Sequence, residues 1–507
     1  MLWSCAPARS AASEAVPAPS TPAASTDFAN LCASCHGADR LGGTGPALLP
    51  ENLGRLDKAE ATRTIANGRP SSQMAGFAQQ LSADRIRSLV DLIYTPLATV
   101  PRWGMDEIQR THAVLSAVAD PGARPVHTAD PLNLFVVVEL GDHHAMVLDG
   151  DKLEPVARIP TRFALHGGPK FSPDGRFVYF ASRDGWVSKL DLYTLQMCCE
   201  IRAGINTRNL AVSGDGRTVL VGNYLPHSLV VLDAATLRAR AVLEVAGKDG
   251  KTSRVSAVYA APPRHTFVAA VKDLREVWEV AVDTDAAKLV GTTWTSPAAG
   301  VGVRTIATET YLDDFFFDQS YRYLIGAARD GERGRVLDLD TGSVVARLEL
   351  PGMPHLASGI TWERAGGTVL ATPNLGEGVV SVIDMQSWQV VRRIETLGPG
   401  FFMRSHENTR YAWVDVFFGP NRDAVHVIDK ETLEIVKTLR PAPGKTAAHV
   451  EFTRDGRFAL LSIWEDDGAI VVFDAVTLEE VKRIPARKPS GKYNVYNKIT
   501  RSAGTSH

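Results

Sequence analysis

The most regular feature of the sequence is a pattern of apolar and polar positions that recurs from residue 131 onward. In each copy, two or three apolar residues precede an aspartate, a few turn-forming residues follow, and a strand of alternating character comes next. Such alternation predicts β-strands with one buried face. The aspartates are 42 to 55 residues apart and comprise Asp149, Asp191, Asp233, Asp283, Asp338, Asp384, Asp429 and Asp474.

This spacing predicts a β-propeller. A period of about 46 residues is typical of one four-stranded blade. Asp-Gly turns ahead of alternating apolar strands, as in SPDGRFVYFAS, SGDGRTVLVGN and TRDGRFALLSI, predict a hairpin within the blade. The eight copies therefore predict an all-β eight-bladed propeller over residues 131–507, with ligands at the mouth of its central channel.

Residues 27–98 carry a helical pattern instead. A short helical stretch begins at Asp27, and apolar residues recur at helical spacing in KAEATRTIANGR and in ADRIRSLVDLIYTPL. A unit of about 70 residues buries too little surface unaided, so we expect a small all-α domain packed on a large ligand. Residues 99–130 should link it to the propeller, and residues 1–26, rich in Ala, Pro and Ser, form a flexible lead or export-signal remnant.

Composition narrows the function classes. The chain has 507 residues, 45% of them hydrophobic, and its 55 Lys and Arg nearly balance its 57 Asp and Glu. This balance argues against a polycationic nucleic-acid binder. No apolar run approaches the roughly 18 to 20 residues that cross a bilayer as a helix. The sequence also lacks a phosphate-binding loop, a Ser-His-Asp arrangement and a nucleotide fingerprint.

Two of the five cysteines lie in CASCH, where Cys32, Cys35 and His36 have the spacing of a covalent haem c attachment site. A zinc site or a redox pair is the alternative. The haem iron needs a sixth ligand, and Met74, in RPSSQMAGF, is the candidate on a loop before the last helix; its alternative is a core filler. A methionine ligand raises the potential of the iron, which suits an electron carrier.

The same motif predicts the compartment. Haem of this type is attached outside the cytoplasmic membrane in bacteria, so CASCH predicts export to the periplasm. MLWSCAPARS is too short for the apolar core of a secretion signal. LWSC resembles the end of a lipoprotein signal, which would make Cys5 a lipid anchor, and a leftover signal fragment is the alternative.

Histidines near the inner strands are candidate ligands of a second iron. His166, in ALHGGPKFSPDGRF, precedes an inner strand, and His355 in PGMPHLASG and His449 in GKTAAHVEFTRDGRF occupy the same place in their blades. His406 falls a little later in its blade. For any one of them, turn packing is the alternative. Tyr224, in VGNYLPH, lies at a channel-facing strand end and either stacks on a macrocycle or packs within the propeller.

A resemblance to a known family is carried by the helical domain with CASCH, the segment PRWGM, the repeats and the C-terminal PSGKYNVYN. In these features the sequence resembles the cytochrome cd1 nitrite reductases and their relatives that bind haem d1. The resemblance covers about residues 27–500 and implies that His166 is the proximal ligand of the haem d1 iron. It also implies that His355 is one of two distal histidines. In YLDDFFFDQSYRYL, Asp313 stands where the other distal histidine is expected. A carboxylate is a poor substitute for an imidazolium beside an anion, which argues against nitrite reduction.

Two more residues make the sequence similar to the dihydro-haem d1 dehydrogenases of the NirN type. Tyr493 stands where the reductases have phenylalanine, and His449 lies in a segment where they have no histidine. This resemblance implies the last step of haem d1 biosynthesis, in which a propionate of the precursor becomes an acrylate. His449 would be the base, Tyr493 would orient or share the proton unless it is only a core aromatic, and His355 would close the other face of the iron.

The resemblance also implies the remaining ligands and partners. Arg183 in ASRDGW and Arg208 in INTRNL match arginines that bind carboxylates of the tetrapyrrole, with surface salt bridges as the alternative. We expect covalent haem c, and haem d1 or dihydro-haem d1 bound non-covalently as product or substrate, with electrons passing to haem c. Further partners would be an electron-acceptor protein and a cytochrome cd1 nitrite reductase that receives haem d1. The alternatives are a nitrite reductase and a non-catalytic haem d1 carrier.

Overall fold

The computed structural model describes residues 22–43, 45–54, 56–68, 74–99, 101–117, 122–283, 294–327 and 333–501, without the side chains of residues 166, 167 and 333. The chain divides after Thr99 into two compact units. No helix in the described part of the chain is long and apolar enough to span a membrane.

The first unit is all α. Its described helices are α1 (Pro22–Leu31), α2 (Ala33–His36), α3 (Pro50–Leu53), α4 (Lys58–Asn67) and α5 (Ala83–Ile93). The two helices predicted from apolar spacing are α4 and α5, and their first turns are capped by Asp57 Oδ1 and Ser82 Oγ. The first helix begins at Pro22, earlier than the predicted start at Asp27.

The core of this unit is one apolar cluster. Helix α5 contributes residues at positions i, i+3, i+4 and i+7, which lie on one face of a helix. The buried members of the cluster are Phe28, Leu53, Ala61, Ile65, Leu81, Ile86, Leu89, Val90 and Ile93. An ion pair joins α5 to α1, with Arg85 Nε 2.9 Å from Asp27 Oδ2.

The second unit is a ring of eight antiparallel sheets, which we call blades 1 to 8. Blades 1 to 4 contain β1 (Ala113–Val114), β2 (Leu134–Glu139), β3 (His144–Asp149), β4 (Glu154–Pro160), β5 (Leu165–Phe171), β6 (Phe177–Ser182), β7 (Trp186–Asp191), β8 (Gln196–Arg202), β9 (Asn206–Val212), β10 (Thr218–Leu225), β11 (Ser228–Asp233), β12 (Ala239–Glu244), β13 (Val255–Ala261), β14 (Thr266–Val271), β15 (Glu276–Val282), β16 (Trp294–Ala298) and β17 (Val301–Ala307). Blades 5 to 8 contain β18 (Asp314–Phe317), β19 (Tyr323–Ala327), β20 (Arg333–Asp338), β21 (Ser343–Glu349), β22 (Ile360–Arg364), β23 (Gly367–Pro373), β24 (Val379–Asp384), β25 (Val390–Glu395), β26 (Met403–Arg404), β27 (Tyr411–Asp415), β28 (Val425–Asp429), β29 (Ile435–Leu439), β30 (Ala447–Phe452), β31 (Phe458–Ile463), β32 (Ala469–Asp474) and β33 (Glu480–Pro485).

The sheets follow the chain in order. Blade 1 holds β2–β4, blade 2 holds β5–β8 with β1 at its edge, and blade 3 holds β9–β12. Blade 4 holds β13–β17, and blades 5 to 8 take four strands each, beginning with β18, β22, β26 and β30. The prediction of an all-β eight-bladed propeller after a small all-α domain is confirmed.

The ring closes through its last strand. Strand β34 (Pro489–Asn494) joins blade 1 and pairs antiparallel with β2, so that Tyr493 lies opposite Val136 and Lys492 opposite Val137. Helix α7 (Val495–Thr500) follows it. The amide Nδ2 of Asn494 donates to Asn133 Oδ1 at 3.1 Å. The two ends of the propeller sequence are thereby joined by backbone pairing and a buried side-chain bond.

The segment predicted as a linker is partly built into blade 2. Helix α6 (Met105–Arg110) lies in it, and β1 pairs with the outer edge of β8, with Ala113 opposite Glu200. Trp103 Nε1 donates to the carbonyl oxygen of Arg202 at 3.0 Å, and the Arg202 guanidinium lies 4.7 Å from the centre of the Trp103 ring. Residues 118–121 of the segment lie outside the described residues.

In every blade except blade 4, the repeated aspartate accepts N–H groups of the turn between the third and fourth strands. In blade 4 the residues that follow Asp283 lie outside the described part of the chain. Asp474 shows the arrangement: its Oδ1 accepts the N–H groups of Val476 and Thr477, both at 2.9 Å, and these bonds lower the pKa of the carboxyl. Such bonds satisfy turn N–H groups that no strand pairs. In seven blades the residue four positions after the aspartate has positive φ: Leu153, Leu195, Leu237, Gly342, Trp388, Leu433 and Leu478.

One blade histidine is fixed as a neutral imidazole. His426, in β28, is 2% exposed, and its Nε2 accepts the N–H of Leu397 at 3.1 Å. Its Nδ1 therefore carries the proton and donates to Thr438 Oγ1 at 2.8 Å. Burial, followed by the charge of Arg440, lowers the pKa of His426 to about 4. Protonation would break the bond from Leu397 and leave a buried charge.

We predict that His426 destabilises the fold as the pH falls from 6.5 to about 4. In this window the unfolded chain binds a proton at His426 that the folded chain does not, so the free energy of unfolding falls by about 1.4 kcal/mol per pH unit. Denaturant unfolding of the wild type and His426→Gln at pH 7 and pH 5 measures the effect. Relative to the variant, the wild type should lose about 2 kcal/mol between these two pH values, and a constant difference contradicts the assignment.

Candidate functional site

The haem attachment motif lies in the first unit, where α2 ends at His36. The imidazole of His36 is buried, and its Nδ1 lies 2.8 Å from the carbonyl oxygen of Pro46. Because a carbonyl oxygen only accepts, Nδ1 carries the proton and Nε2 is left as the ligand nitrogen. Burial lowers the pKa of His36, which favours this neutral form. A Cβ at Gly45 would lie 2.8 Å from Cε1 of His36, so a side chain there would displace the ring.

The other predicted haem residues adjoin the same apolar core. Cys32 and Met74 are half-buried and pack on the cluster that includes Phe28 and Ile65. Cys32 and Cys35 are free thiols, and burial raises the pKa of Cys32 to about 11. A covalently attached haem needs two thiols, a histidine nitrogen and a further ligand. Cys32, Cys35, His36 and Met74 supply these groups, and Cys32 and Met74 pack on the same apolar cluster. These four residues therefore suit haem c.

In the second unit, His449 lies inside β30 rather than before it. It is 1% exposed, has φ +54°, and sits at a bulge between Ala448 and Val450, where strand pairing with β31 shifts. Its N–H donates to Asp415 Oδ2 at 3.1 Å. The Nε2 atom of His449 is buried and has no hydrogen-bond partner among the described residues. The imidazole therefore presents one unsatisfied polar atom, which needs a partner from a ligand or water.

Aromatic rings flank His449. Its ring centre lies 4.7 Å from that of Phe402 and 5.1 Å from that of Tyr493, both in edge-on geometry. Tyr493 lies on the closing strand β34. Burial raises the pKa of Tyr493 to about 12 against the opposing charge of Arg404, so the phenol keeps its proton. Blades 1, 7 and 8 meet at this cluster.

Buried cations set the charge around His449. Burial and the charges of Lys492 and Arg404 hold the pKa of His449 well below its ordinary value, so the imidazole is neutral. Lys492 is 0% exposed, and its Nζ donates to the carbonyl oxygen of His449 and to Ser462 Oγ. Arg404 is 3% exposed, and within the described part of the chain its Nε has no hydrogen-bond partner. Burial and the charge of Arg404 also lower the pKa of Lys170 to about 8.

His355 stands at the start of a single helical turn ahead of β22. Its Nδ1 lies 2.7 Å from the carbonyl oxygen of Phe401, which assigns the proton to Nδ1, and its Nε2 lies 3.9 Å from Asp314 Oδ2. The His355 ring contacts Phe401 at 4.3 Å and Phe402 at 6.4 Å between centres. Because Phe402 also contacts His449, the two histidines belong to one site.

The two adjacent aspartates of blade 5 have different partners. Asp313, predicted to stand in place of a distal histidine, is 7% exposed, and one of its oxygens lies 2.5 Å from Lys272 Nζ. Asp314 faces His355, and its Oδ2 accepts the N–H of Ala357 at 2.8 Å. Burial raises the pKa of Asp314, while the nearby His355 opposes that rise.

Tyr224 lies in β10 among three cations. Its ring centre is 5.6 Å from the guanidinium of Arg208, 5.5 Å from that of Arg254 and 6.0 Å from Lys272 Nζ. Lys272 in turn pairs with Asp313, so Tyr224 and Arg208 adjoin the side of the site that carries the two aspartates. A half-buried aromatic ring with three cations within 6.0 Å of its centre suits a site for a planar anion.

For the remaining predicted residues, the structure gives only some of the contacts. His166 lies in β5 rather than before it, and its backbone pairs with Ala181, but its side chain is outside the described residues. Arg183 follows β6, and its N–H donates to the carbonyl oxygen of Ala164 at 3.0 Å. His406 is separate: its Nδ1 accepts the N–H of Asn408 at 3.1 Å.

The sequence reasoning missed most of the charged residues of the site. Lys492 stood beside Tyr493 in KYNVYN, Arg404 lies in FFMRSH, and Lys170 follows His166 in ALHGGPKF. A lysine or arginine is usually exposed, so its letter alone does not predict burial. Asp415 and Asp314 were missed as well, because their partners lie on other blades.

Comparison with known proteins identifies both units. Residues 129–498 match the cytochrome D1 heme domain, and residues 21–93 match the cytochrome C oxidase, cbb3-type, subunit III. The chain is 56% identical over 476 residues to the dihydro-heme d1 dehydrogenase of Pseudomonas aeruginosa, with 94% of each chain covered. It is 25% identical over 529 residues to the nitrite reductase of Stutzerimonas stutzeri, covering 92% of this chain and 91% of that protein. A solved structure of dihydro-heme d1 dehydrogenase NirN in complex with DHE aligns at a TM-score of 0.89 and 55% identity, covering 94% of this chain and 100% of that chain.

We predict that the position of Tyr493 depends on the glycine at position 168. This glycine has φ +69°, and an added Cβ would lie 3.0 Å from both Cε1 and Oη of Tyr493. Gly168→Ala should therefore add a steric cost of about 1 to 3 kcal/mol to the backbone cost of a left-handed alanine.

The matched control is Gly250→Ala, because Gly250 has φ +79° and nothing lies within 4 Å of its added Cβ. Denaturant unfolding of both variants separates the two costs. Equal losses in the two variants would mean that Tyr493 moves aside freely.

Proposed function

The chain belongs to the cytochrome D1 heme domain family, and from this premise we propose that it is a dihydro-haem d1 dehydrogenase. It is an oxidoreductase that converts dihydro-haem d1 into haem d1 by dehydrogenating a propionate side chain to an acrylate, with electrons passing to haem c. The 56% identity to a dihydro-heme d1 dehydrogenase over 94% of both chains supports this activity. The observation that carries the mechanism is the buried, neutral His449 with an unpartnered Nε2 beside Tyr493.

The reaction removes two hydrogens from a saturated side chain. One C–H bond breaks on each of two adjacent carbons, a C=C bond forms, and two protons and two electrons leave. A saturated side chain yields neither protons nor electrons readily. The protein must therefore supply a base at the side chain and a route for single electrons.

We assign His449 as the base that takes one of the two protons. The N–H of Lys492 lies 3.5 Å from His449 Nδ1, and a bond of that length is too weak to fix the tautomer, so Nε2 can take the proton. The imidazole is neutral because burial and the charges of Lys492 and Arg404 lower its pKa. A carboxylate of the substrate bound beside these cations would offset their charge and raise the pKa of His449 toward working pH, where a base is most effective. Substrate binding and activation of the base would then be coupled.

Tyr493 would orient the reacting side chain. Its phenol keeps its proton because burial raises its pKa to about 12, so its Oη acts as a hydrogen-bond donor. The side chain is confined, since a Cβ at Gly491 would lie 2.7 Å from Oη and one at Gly168 would lie 3.0 Å from it. A donor held in one place beside the base can fix the carboxylate end of the propionate.

The iron of the substrate would be held by two histidines. We assign His166, on β5, as the proximal ligand, and His355 as the residue that closes the other face. The Nδ1 atom of His355 is engaged by Phe401, which leaves Nε2 for the iron. A carbonyl bond of this kind fixes both the tautomer and the ring orientation of a ligand histidine.

Cationic and aromatic groups would hold the rest of the tetrapyrrole. Arg208 and Arg183 are assigned to its carboxylates, and Tyr224 to stacking on the macrocycle. Arg254 and Lys272 add positive charge at the Tyr224 ring, at 5.5 and 6.0 Å from its centre. Arginine binds carboxylates with paired hydrogen bonds, and such bonds are strong where water is excluded.

The first unit would carry haem c, attached through Cys32 and Cys35 and ligated by His36 and Met74. When bound, this haem supplies one-electron acceptor chemistry. The apolar cluster beneath Cys32 and Met74 excludes water from one side of the group. The bond from His36 to Pro46 keeps the ligand imidazole in the tautomer that binds iron.

Asp313 argues against nitrite reduction as the activity. The carboxylate pairs with Lys272 at 2.5 Å and is nearly buried, so it offers no second imidazolium beside the iron. Protonation of bound nitrite needs an acid, and an ionised carboxylate in a salt bridge does not supply a proton. A pure haem d1 carrier is disfavoured because it has no use for an electron-accepting haem c.

We further propose that the protein works in the periplasm, where haem c is attached, with Cys5 as a lipid anchor if the first residues end a lipoprotein signal. Because haem c takes electrons one at a time, an electron-acceptor protein must reoxidise it. The product would pass to a cytochrome cd1 nitrite reductase, which uses haem d1. This places the enzyme in the supply of cofactor for denitrification.

We predict that one equivalent of the protein, loaded with ferric haem c, converts ferric dihydro-haem d1 into a product lighter by two hydrogens, because haem c can take one electron and the iron of the substrate the other. Mass analysis of the extracted tetrapyrrole measures the conversion. His449→Gln should slow a single turnover by about 100-fold or more, because general base catalysis is worth about 10² to 10⁴. Tyr493→Phe should slow it less, because the base remains.

His426→Gln is the matched control for this test, since it replaces another buried histidine and should leave the turnover rate unchanged. Full conversion by both His449→Gln and Tyr493→Phe would refute the assigned base chemistry without affecting the fold.

We also predict that protein purified from cells unable to make haem d1 contains haem c alone. Added dihydro-haem d1 should then bind and give new absorption bands, because the tetrapyrrole is substrate rather than resident cofactor. Absorption spectroscopy before and after addition measures this. Binding without conversion would favour the carrier alternative, and failure to bind would refute the assigned substrate.

A further inference from the structure

We propose that Asp415 is a positioning residue that fixes the backbone beside both site histidines, His355 and His449, through a single buried carboxylate. The inference rests on the proposed function, because it takes these two histidines as the iron ligand and the base. Asp415 ends β27 in blade 7, is 1% exposed and lies between the segments that carry the two histidine contacts.

The carboxylate of Asp415 accepts three backbone N–H groups. Its Oδ1 accepts those of Phe401 at 2.7 Å and Phe402 at 3.0 Å, and its Oδ2 accepts that of His449 at 3.1 Å. The N–H of Asp415 also donates to the carbonyl oxygen of Phe402 at 3.2 Å. The two oxygens therefore join a loop of blade 7 to the inner strand of blade 8.

One side of this arrangement reaches His355. The residue held by Asp415 Oδ1, Phe401, uses its carbonyl oxygen to bind His355 Nδ1 at 2.7 Å, and its ring lies 4.3 Å from the His355 ring. The N–H and C=O of Phe401 thus have one partner each, Asp415 and His355. A shift of the Phe401 backbone would change the tautomer bond and the direction of Nε2 of His355.

The other side reaches His449. This residue has φ +54° at a bulge, so its N–H has no strand partner and its backbone is strained for a residue with a side chain. Asp415 Oδ2 provides the missing acceptor. The ring of Phe402, whose N–H is bound by Oδ1, also packs 4.7 Å from the His449 ring. The strained conformation aims the imidazole and depends on the carboxylate.

The charge of Asp415 fits this role. Burial raises the pKa of Asp415 to about 6, while the bonds from Phe402, Phe401 and His449 oppose the rise. The carboxyl is therefore ionised at neutral pH, and both oxygens are acceptors. An amide in its place would offer one acceptor oxygen and turn its NH₂ group toward an N–H.

The test is Asp415→Asn in the full chain loaded with haem c. At saturating dihydro-haem d1, we expect single turnover to slow at least tenfold, while the substrate affinity changes less than threefold. The absorption spectrum of bound tetrapyrrole should shift toward that of His355→Ala, because the ligand nitrogen is displaced. A rate and a spectrum equal to those of the wild type would overturn the proposal.

Asp474→Asn is the matched control. Asp474 also accepts backbone N–H groups, at 2.9 Å from Val476 and Thr477, and it lies in the same blade as His449 but at an outer turn. We expect this variant to keep the wild-type rate and spectrum. A loss equal to that of Asp415→Asn would show a general effect on stability and would overturn the positioning role.

A second variant serves as the test if Asp415→Asn does not fold. Asp415→Glu keeps the buried charge but moves both oxygens by one methylene, and the same slower turnover and shifted spectrum are expected. Wild-type values for this variant would overturn the proposal. The proposed function can be tested separately. If the wild type binds dihydro-haem d1 without converting it, the proposed function is wrong, but the spectral comparison still tests the link from Asp415 to His355.

Discussion

The site depends on charged side chains that the propeller buries away from water. Burial lowers the pKa of several cationic side chains near the centre. Each lowered pKa shows that burial destabilises the protonated side chain where no anion compensates it. These cations are Lys170, Arg404, Lys492 and Lys498. Glu451 and Asp415 offset part of that charge. Burial and the nearby cations hold the pKa of His449 low, and the same cations suit a ligand with several carboxylates.

Much of the fold could be predicted because it is encoded within single blades. Outside blade 4, whose turn residues are not described, the aspartate of each repeat binds N–H groups two or three residues away, as Asp474 does. Strands of the same blade mostly pair with their neighbours in sequence. Short-range interactions of this kind leave a periodic trace in the sequence. The CASCH motif is equally local, so a role for Cys32, Cys35 and His36 could be predicted from their spacing alone.

The contacts of the site could not be predicted because they join different blades. His449 touches Phe402 on one neighbouring segment and Tyr493 on the closing strand, and only the assembled ring brings them together. The positive φ of His449 could not be predicted from the sequence. The pairing of β1 with β8 was also missed, because a two-residue strand is too short to give a periodic signal.

The closing strand has a consequence for how the protein is made. Lys492 and Tyr493 lie within the last 16 residues of the chain, on the strand that pairs with β2 near the propeller's beginning. During translation, seven blades can fold in sequence order, but the first blade receives its inner strand only after the eighth blade has been made. The cluster around His449 therefore forms only after all the other blades, and a nascent chain that stops before β34 would retain most of its blades without this cluster.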